Sequence, residues 1–207
     1  MKINQSPNFQ GINISKANVL GRNLDIYKLT EKDKEFTSAL KNIDLKNLLP
    51  PMNAQDFLIY NTVFQTGLSN AHYKNKTGML LSCDDVPCGI LVSFPFKNKL
   101  IGDFICTWPL RKGEKAPFGA QTLITQMFKN FLDTNASLIE IYAIRYGSIV
   151  SKYLKIGFCC AGGDDYSETM NITRERAKTS LEKLNQRINL IPTNSTEDVN
   201  LFDTLKH

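Results

Sequence analysis

Histidine is nearly missing from this chain of 207 residues: it occurs twice, at His72 and at the final position, His207. A Ser-His-Asp triad or a multi-histidine zinc site therefore has almost no material to draw on. Cysteine is scarce as a source of cross-links. The five present (Cys83, Cys88, Cys106, Cys159, Cys160) are odd in number, form no C-x-x-C pair and mostly sit in apolar runs. They read as reduced core residues, and the adjacent Cys159 and Cys160 would point to opposite faces of a strand rather than bond to each other. No apolar run approaches the ~18 residues that a membrane helix needs. The start, MKINQSPNFQGINIS, lacks the apolar stretch of a secretory signal, so the expectation is a cytoplasmic protein with no membrane partner.

What is present is ordinary for a globular domain: 42% hydrophobic and 22% charged residues. A chain of this length can bury a core without disulfide or metal staples. The formal charge of +5 fits an anionic ligand but is too small to argue for nucleic acid. That charge is localised. Residues 97–115 and residues 174–187 each carry five Lys/Arg against two Asp/Glu.

Hydrophobic periodicity orders the chain. Residues 1–22 are polar and Asn-rich and read as a loose arm, with an edge strand as the most structure they would add. Residues 23–30 alternate as a short strand closed by Thr30, a residue able to cap a helix. Residues 31–49 follow a helical spacing through Phe36, Leu40 and Ile43 until Pro50-Pro51 stops it, and a second helix starts after Asn53. Three antiparallel strands follow, over residues 78–83, 88–96 and 100–108, the first two joined by an Asp84-Asp85-Val86-Pro87 turn. Past a basic loop, residues 119–133 place Ala120, Leu123, Ile124, Met127, Phe128, Phe131 and Leu132 on one helical face. Residues 137–144 are a buried strand, parallel to 100–108 because the helix between them is a crossover. A short helix over 148–156, ended by Gly157, leads to a hairpin over 158–173 that turns at Gly162 to Asp165. A basic segment, 174–191, is helical with Ala177, Leu181, Leu184 and Ile188 on one side, and its charges are expected in solvent. Residues 192–207 read as a tail, in which Ser195 to Asp198 resembles a capping box. The short helix it would start could dock on the domain or on a second subunit of a homodimer.

In this order of elements the sequence resembles the GNAT acyltransferase superfamily over roughly residues 23–173. Two local matches carry the resemblance. Ile105-Cys106-Thr107-Trp108-Pro109 followed by LRKGEKAPFGAQTLI is similar to a strand that leads into an Arg/Gln-x-x-Gly-x-Gly/Ala loop and a long helix. A helix N-terminus offers unpaired donors and partial positive charge to an anion, so the chemistry of such a loop is sound in itself. The second match, Tyr153-Leu154-Lys155-Ile156-Gly157-Phe158, resembles the family's Tyr-x-x-x-Gly-Phe signature. The loop departs from the pattern: Phe118 stands for the first glycine, Lys115 for the Arg/Gln, and about three residues are inserted after Pro109. The family often has Asn seven residues before the tyrosine, where this chain has Tyr146.

The resemblance implies an α/β fold, a twisted mixed sheet splayed between its fourth and fifth strands with helices on both faces. It implies acetyl-CoA as acyl donor and an amine as acceptor, joined by direct attack without a covalent enzyme intermediate. Thr107 and Trp108 would line the pantetheine with backbone groups. Lys115, Ala116, Pro117, Phe118, Gly119 and Ala120 would hold the pyrophosphate, helped by the charge of Arg111 and Lys112. Tyr153 would protonate the departing thiolate, since a phenol keeps its proton at neutral pH. Glu140, with Asp103 behind it, is the candidate base. A GNAT-shaped protein that binds a metabolite or partner without transfer is the alternative, favoured by Phe118, the longer loop and the missing Asn. A third reading, nucleic-acid binding through the basic C-terminal helix, would show as strongly salt-dependent affinity.

Overall fold

The chain enters its sheet earlier than its hydropathy indicates. In the computed structural model, which describes residues 9–145 and 147–193, strand β1 (Ile12–Val19) pairs antiparallel with β2 (Arg22–Lys28). The strand expected at most from residues 1–22 is here a full eight-residue strand, and its faces show why hydropathy understates it. The buried face of β1 carries Asn13, Ser15, Ala17 and Val19, while Ile12 is largely exposed. Its polar members are satisfied by side chains: Ser15 Oγ donates to Gln126 Oε1 at 2.7 Å and Asn13 Nδ2 to Asp25 Oδ1 at 2.8 Å. Alternation therefore runs against the faces, and hydropathy alone misses the strand.

Thr30 caps the next turn as expected, and the Asp33 carboxylate returns a bond to the Thr30 N–H at 2.8 Å. The single helix expected over 31–49 is instead three pieces: a 3-10 turn (Glu31–Asp33), α1 (Lys34–Leu40) and α2 (Leu45–Leu48). Asp44 is the reason for the restart. Its carboxylate accepts from the Asn47 N–H at 3.2 Å and so competes with a continuous helix. Helix α3 (Ala54–Asn70) begins at Asn53, which caps it.

Strands β3 (Thr77–Cys83), β4 (Val86–Phe96) and β5 (Lys99–Thr107) then form the antiparallel meander. The first turn is tighter than expected. Only Asp84 and Asp85 lie outside the strands, both left-handed at φ 46° and 65°. Helix α4 (Gly119–Leu132) crosses over to β6 (Leu138–Ile144), which lies parallel to β5. Helix α5 (Ile149–Ile156), the hairpin of β7 (Cys159–Gly163) and β8 (Ser167–Thr173), helix α6 (Arg174–Asn185) and a two-residue strand β9 (Ile191–Pro192) complete the described residues. Residues 194–207, including the capping box read at Ser195, lie outside them, as does Tyr146.

The strand order is β7-β8-β6-β5-β4-β3-β2-β1-β9, a mixed sheet with helices on both faces. One face packs on α4 and α6 through Leu123, Met127, Phe128, Phe131 and Leu184. The other packs on α1 and α3 through Phe36, Leu40, Phe64 and Leu68. The C-terminal segment closes the structure over its beginning: β9 pairs with Ser15 and Lys16 of β1, and Lys129 Nζ of α4 donates to the Leu190 carbonyl at 2.6 Å.

Candidate active site

The site begins with one extra residue. Val92 of β4 faces Phe104, but its neighbour Ser93 faces Gly102, so Asp103 is a bulge in β5. A bulge bends its strand and sharpens the local twist. On the other edge of β5, pairing with β6 covers only four residues, from Lys99↔Leu138 to Gly102↔Ile141. The two parallel strands part where the bulge begins, which is the splay expected between the fourth and fifth strands, numbered β5 and β6 here because β1 precedes them. A cavity of about 970 Å³ fills the space past the end of β5.

Five elements build its walls. The end of β5 contributes Ile105, Thr107 and Trp108, and the start of α4 contributes Lys115, Ala116, Phe118, Gly119, Ala120 and Gln121. Helix α5 supplies Lys152, Tyr153 and Lys155, and α6 with the turn after it supplies Ser180, Lys183, Leu184 and Arg187. Tyr60 of α3 reaches in from the opposite face. Pro117 alone of the expected phosphate-loop residues does not line it.

Helix α4 has no side-chain cap at its N-terminus. Its first-turn N–H groups beyond Gly119 therefore remain as donors where Ala120 and Gln121 line the cavity. Ala120 belongs to the helical stripe read from sequence, yet it is exposed to the cavity rather than packed. Phe118 occupies a left-handed conformation, φ 53° and ψ 23°, that a glycine would adopt freely. Its side chain packs on the core while also bordering the cavity. The insertion after Pro109 is a closed turn: the Leu110 N–H donates to the Glu114 carbonyl at 2.8 Å and the Glu114 N–H to the Arg111 carbonyl at 2.9 Å. Arg111 is ion-paired with Glu114, which also binds Arg22 at 2.5 Å. Of the loop's three cations only Lys115 lines the cavity.

Two of the backbone groups expected to be free are engaged. The Trp108 N–H donates to the Cys88 carbonyl at 2.9 Å, its indole N–H donates to the Pro87 carbonyl at 2.8 Å, and the ring is buried. The Thr107 carbonyl accepts from the Tyr60 hydroxyl. Tyr60 has no sequence signal beyond its place in α3, so sequence alone does not mark it as a site residue.

Tyr153 is partly buried and packs edge-on to Phe158, with ring centroids 5.6 Å apart. Burial, reinforced by the neighbouring Cys106, pushes its hydroxyl up to about 12. Cys106 itself is pushed up to about 12 by burial, so its thiol stays protonated at neutral pH and is no nucleophile. Glu140 is elsewhere. Its carboxylate binds Lys99 Nζ at 2.6 Å and accepts from the Tyr142 hydroxyl at 3.0 Å, and the Lys99 contact chiefly holds it below the usual range. Asp103 is paired with Lys76 at 2.5 Å. Neither carboxylate lines the cavity. His72 ties the end of α3 to the Thr30 carbonyl and the Thr37 hydroxyl, each at 2.7 Å, and is a packing residue.

Electrostatics give the cavity one sign. Among the described residues, its lining holds Lys115, Lys152, Lys155, Lys183 and Arg187 but no Asp, Glu or His. None of these five is ion-paired with a described carboxylate. Lys183 and Arg187 are exposed, as expected of the charges in the C-terminal segment, and they also border the cavity. Their signal was present in the sequence, since 183 and 187 flank the apolar position 184 on one helical face.

No family model and no curated protein matches the sequence. Solved structures do match the fold. A nucleotide-linked sugar GNAT, FdhC, superposes with a TM-score of 0.56 at 16% identity, covering 87% of this chain and 99% of its own. The PaiA N-acetyltransferase of Thermoplasma acidophilum, solved with coenzyme A, gives 0.52 at 14% identity, covering 72% and 98%. An uncharacterized protein of Bacillus halodurans gives 0.58 at 12% identity, covering 85% and 98%. Parted parallel strands, the crossover helix and these likenesses over most of the chain identify the structure as a GNAT fold.

Proposed function

We propose that the protein moves an acetyl or related acyl group from coenzyme A to an amine. The observation that carries this reading is the cationic cavity, bounded at one end by the uncapped N-terminus of α4 and lined by Tyr153. Pyrophosphate suits the α4 end, where N–H donors and the Lys115 ammonium meet, and the Phe118 backbone holds the tight entry to the helix. Thr107 and Trp108 flank the path of the pantetheine, with the Thr107 carbonyl shared with Tyr60.

The thioester, when bound, supplies an activated acyl carbon and a thiolate leaving group. Tyr153 keeps its proton through neutral pH and donates it to the departing sulfur. Glu140 is set aside as the base: it lies outside the cavity, and Lys99 makes it a weak proton acceptor. The amine therefore reacts from its neutral fraction, and the proton its nitrogen loses on forming the amide returns through water to the Tyr153 phenolate, restoring the hydroxyl. Cys106 takes no covalent part because its thiol is not ionised.

The test is thiol release from acetyl-CoA in the presence of a panel of primary amines, comparing wild type with Tyr153→Phe. A drop in turnover of at least about 100-fold with unchanged acetyl-CoA affinity is expected. Unchanged turnover removes Tyr153 from the mechanism. The second reading, binding without transfer, is favoured by the lack of any lining carboxylate or imidazole among the described residues. It predicts acetyl-CoA binding with no thiol release from any amine in the panel.

A further inference from the structure

Helix α6 follows the last strand of the sheet and would be expendable if the coenzyme needed only β5, α4 and α5. Its placement says otherwise. Ala177 and Leu184 are buried in the core that α4 also serves, and Ser180 abuts the end of α5. This fixes α6 against the cavity, and Lys183 on the helix and Arg187 in the turn that follows it stand exposed at its rim. Lys155, in the last turn of α5, joins them there.

Two anion sites of different kind thus border one cavity. The α4 end offers backbone donors and one ammonium, which suits the diffuse charge of a pyrophosphate. The α5–α6 wall presents Lys152 and Lys155 along α5, Lys183 near the C-terminal end of α6 and Arg187 in the turn after it, and the dipole of α6 carries the wrong sign for an anion at that end. Attraction at the α6 end comes from side-chain charge, and it suits a group of high charge density. Coenzyme A carries such a group besides its pyrophosphate: the 3′-phosphomonoester of its ribose, close to dianionic at neutral pH.

We infer that Lys183 of α6 and Arg187 of the turn after it bind the 3′-phosphate of the coenzyme, so that α6 and its C-terminal turn are part of the ligand site. This rests on the coenzyme reading above. The thioester end belongs beside the partly buried Tyr153, which leaves the phosphorylated ribose for the exposed rim where the two cations lie. Arg187 can engage the phosphate with a two-pronged contact, and Lys183 adds a point charge.

The experiment is calorimetric titration with coenzyme A and with 3′-dephospho-coenzyme A, on wild type, on the double variant Lys183→Ala with Arg187→Ala, and on Lys178→Ala. Lys178 is an exposed cation of the same helix that does not line the cavity, and so controls for helix charge. Wild type should bind coenzyme A about 10-fold or more tightly than the dephospho form. The double variant should lose that preference, binding coenzyme A as weakly as wild type binds the dephospho form, while Lys178→Ala behaves as wild type. Equal wild-type affinity for the two ligands, or a preference that survives in the double variant, overturns this inference and leaves the coenzyme reading standing. Failure of wild type to bind either ligand overturns both.

Discussion

Ser180 of α6 occupies the space that a side chain on Gly157 would need: a β-carbon built on Gly157 lies 2.4 Å from the Ser180 hydroxyl oxygen. Gly157 also ends α5 at φ 111°, a conformation that side chains avoid. The glycine of the Tyr-x-x-x-Gly-Phe stretch thus has two jobs. It turns the chain after Tyr153, and it seats the helix that carries Lys183 and leads into the turn of Arg187.

Gly157→Ala should therefore destabilise the fold by roughly 1–3 kcal/mol, from backbone strain and from displacement of Ser180 together. Denaturant unfolding measures this. Adding Ser180→Gly should recover only part of the loss, because it relieves the contact and leaves the strained φ. Full recovery would show that crowding alone matters.

Phe118 separates conformation from side-chain chemistry. Its left-handed backbone suits glycine, so Phe118→Gly should preserve coenzyme affinity within about 3-fold while losing some core packing. Phe118→Val, branched at the β-carbon, should weaken binding further and lower the melting temperature, because it resists the turn into α4. Equal behaviour of the two variants would mean that the turn is not what the site depends on.

Glu140→Gln is the substitution that tests where the base is not. Turnover should stay within about 2-fold of wild type, with a stability loss on the order of 1 kcal/mol from the broken Lys99 pair. A loss of turnover of 100-fold, with a changed acidic limb in the pH profile, would return Glu140 to the mechanism.

The buried tyrosines set an alkaline limit on stability. Burial pushes Tyr27, like Tyr153, up to about 12 from an ordinary value of 10. The folded state then holds protons that the unfolded chain releases, so stability is intact below pH 10 and falls as pH rises toward 12. Urea midpoints measured from pH 8 to pH 11.5 should drop less steeply in Tyr27→Phe and Tyr153→Phe than in wild type. Parallel curves would show that neither hydroxyl contributes.

Periodicity was a good guide wherever one side of an element is apolar and the other polar. Helix α4 follows its stripe through Leu123, Met127 and Phe131, and the parallel pairing of β5 with β6 follows from the crossover it makes. It failed where polar groups are buried against partners far along the chain. Ser15 meets Gln126, 111 residues away, and nothing local announces that bond. The site divides in the same way. Lys115, Ala116, Phe118, Gly119, Ala120 and Tyr153 line the cavity and lie in local motifs, whereas Tyr60, Lys183 and Arg187 reach it only through the packing of α3 and α6. The bulge at Asp103, which parts the strands, is a pairing property that a single strand does not display.

On the proposed function, the cationic cavity between β5, α4, α5 and α6 binds a coenzyme A thioester. Titrating acetyl-CoA into the protein and following the melting temperature tests it most directly, because a ligand specific to the folded state must raise stability by mass action. A saturable rise of several degrees, abolished by combining Lys115→Ala with Lys183→Ala and Arg187→Ala, is the predicted result. No shift at millimolar acetyl-CoA would contradict the account.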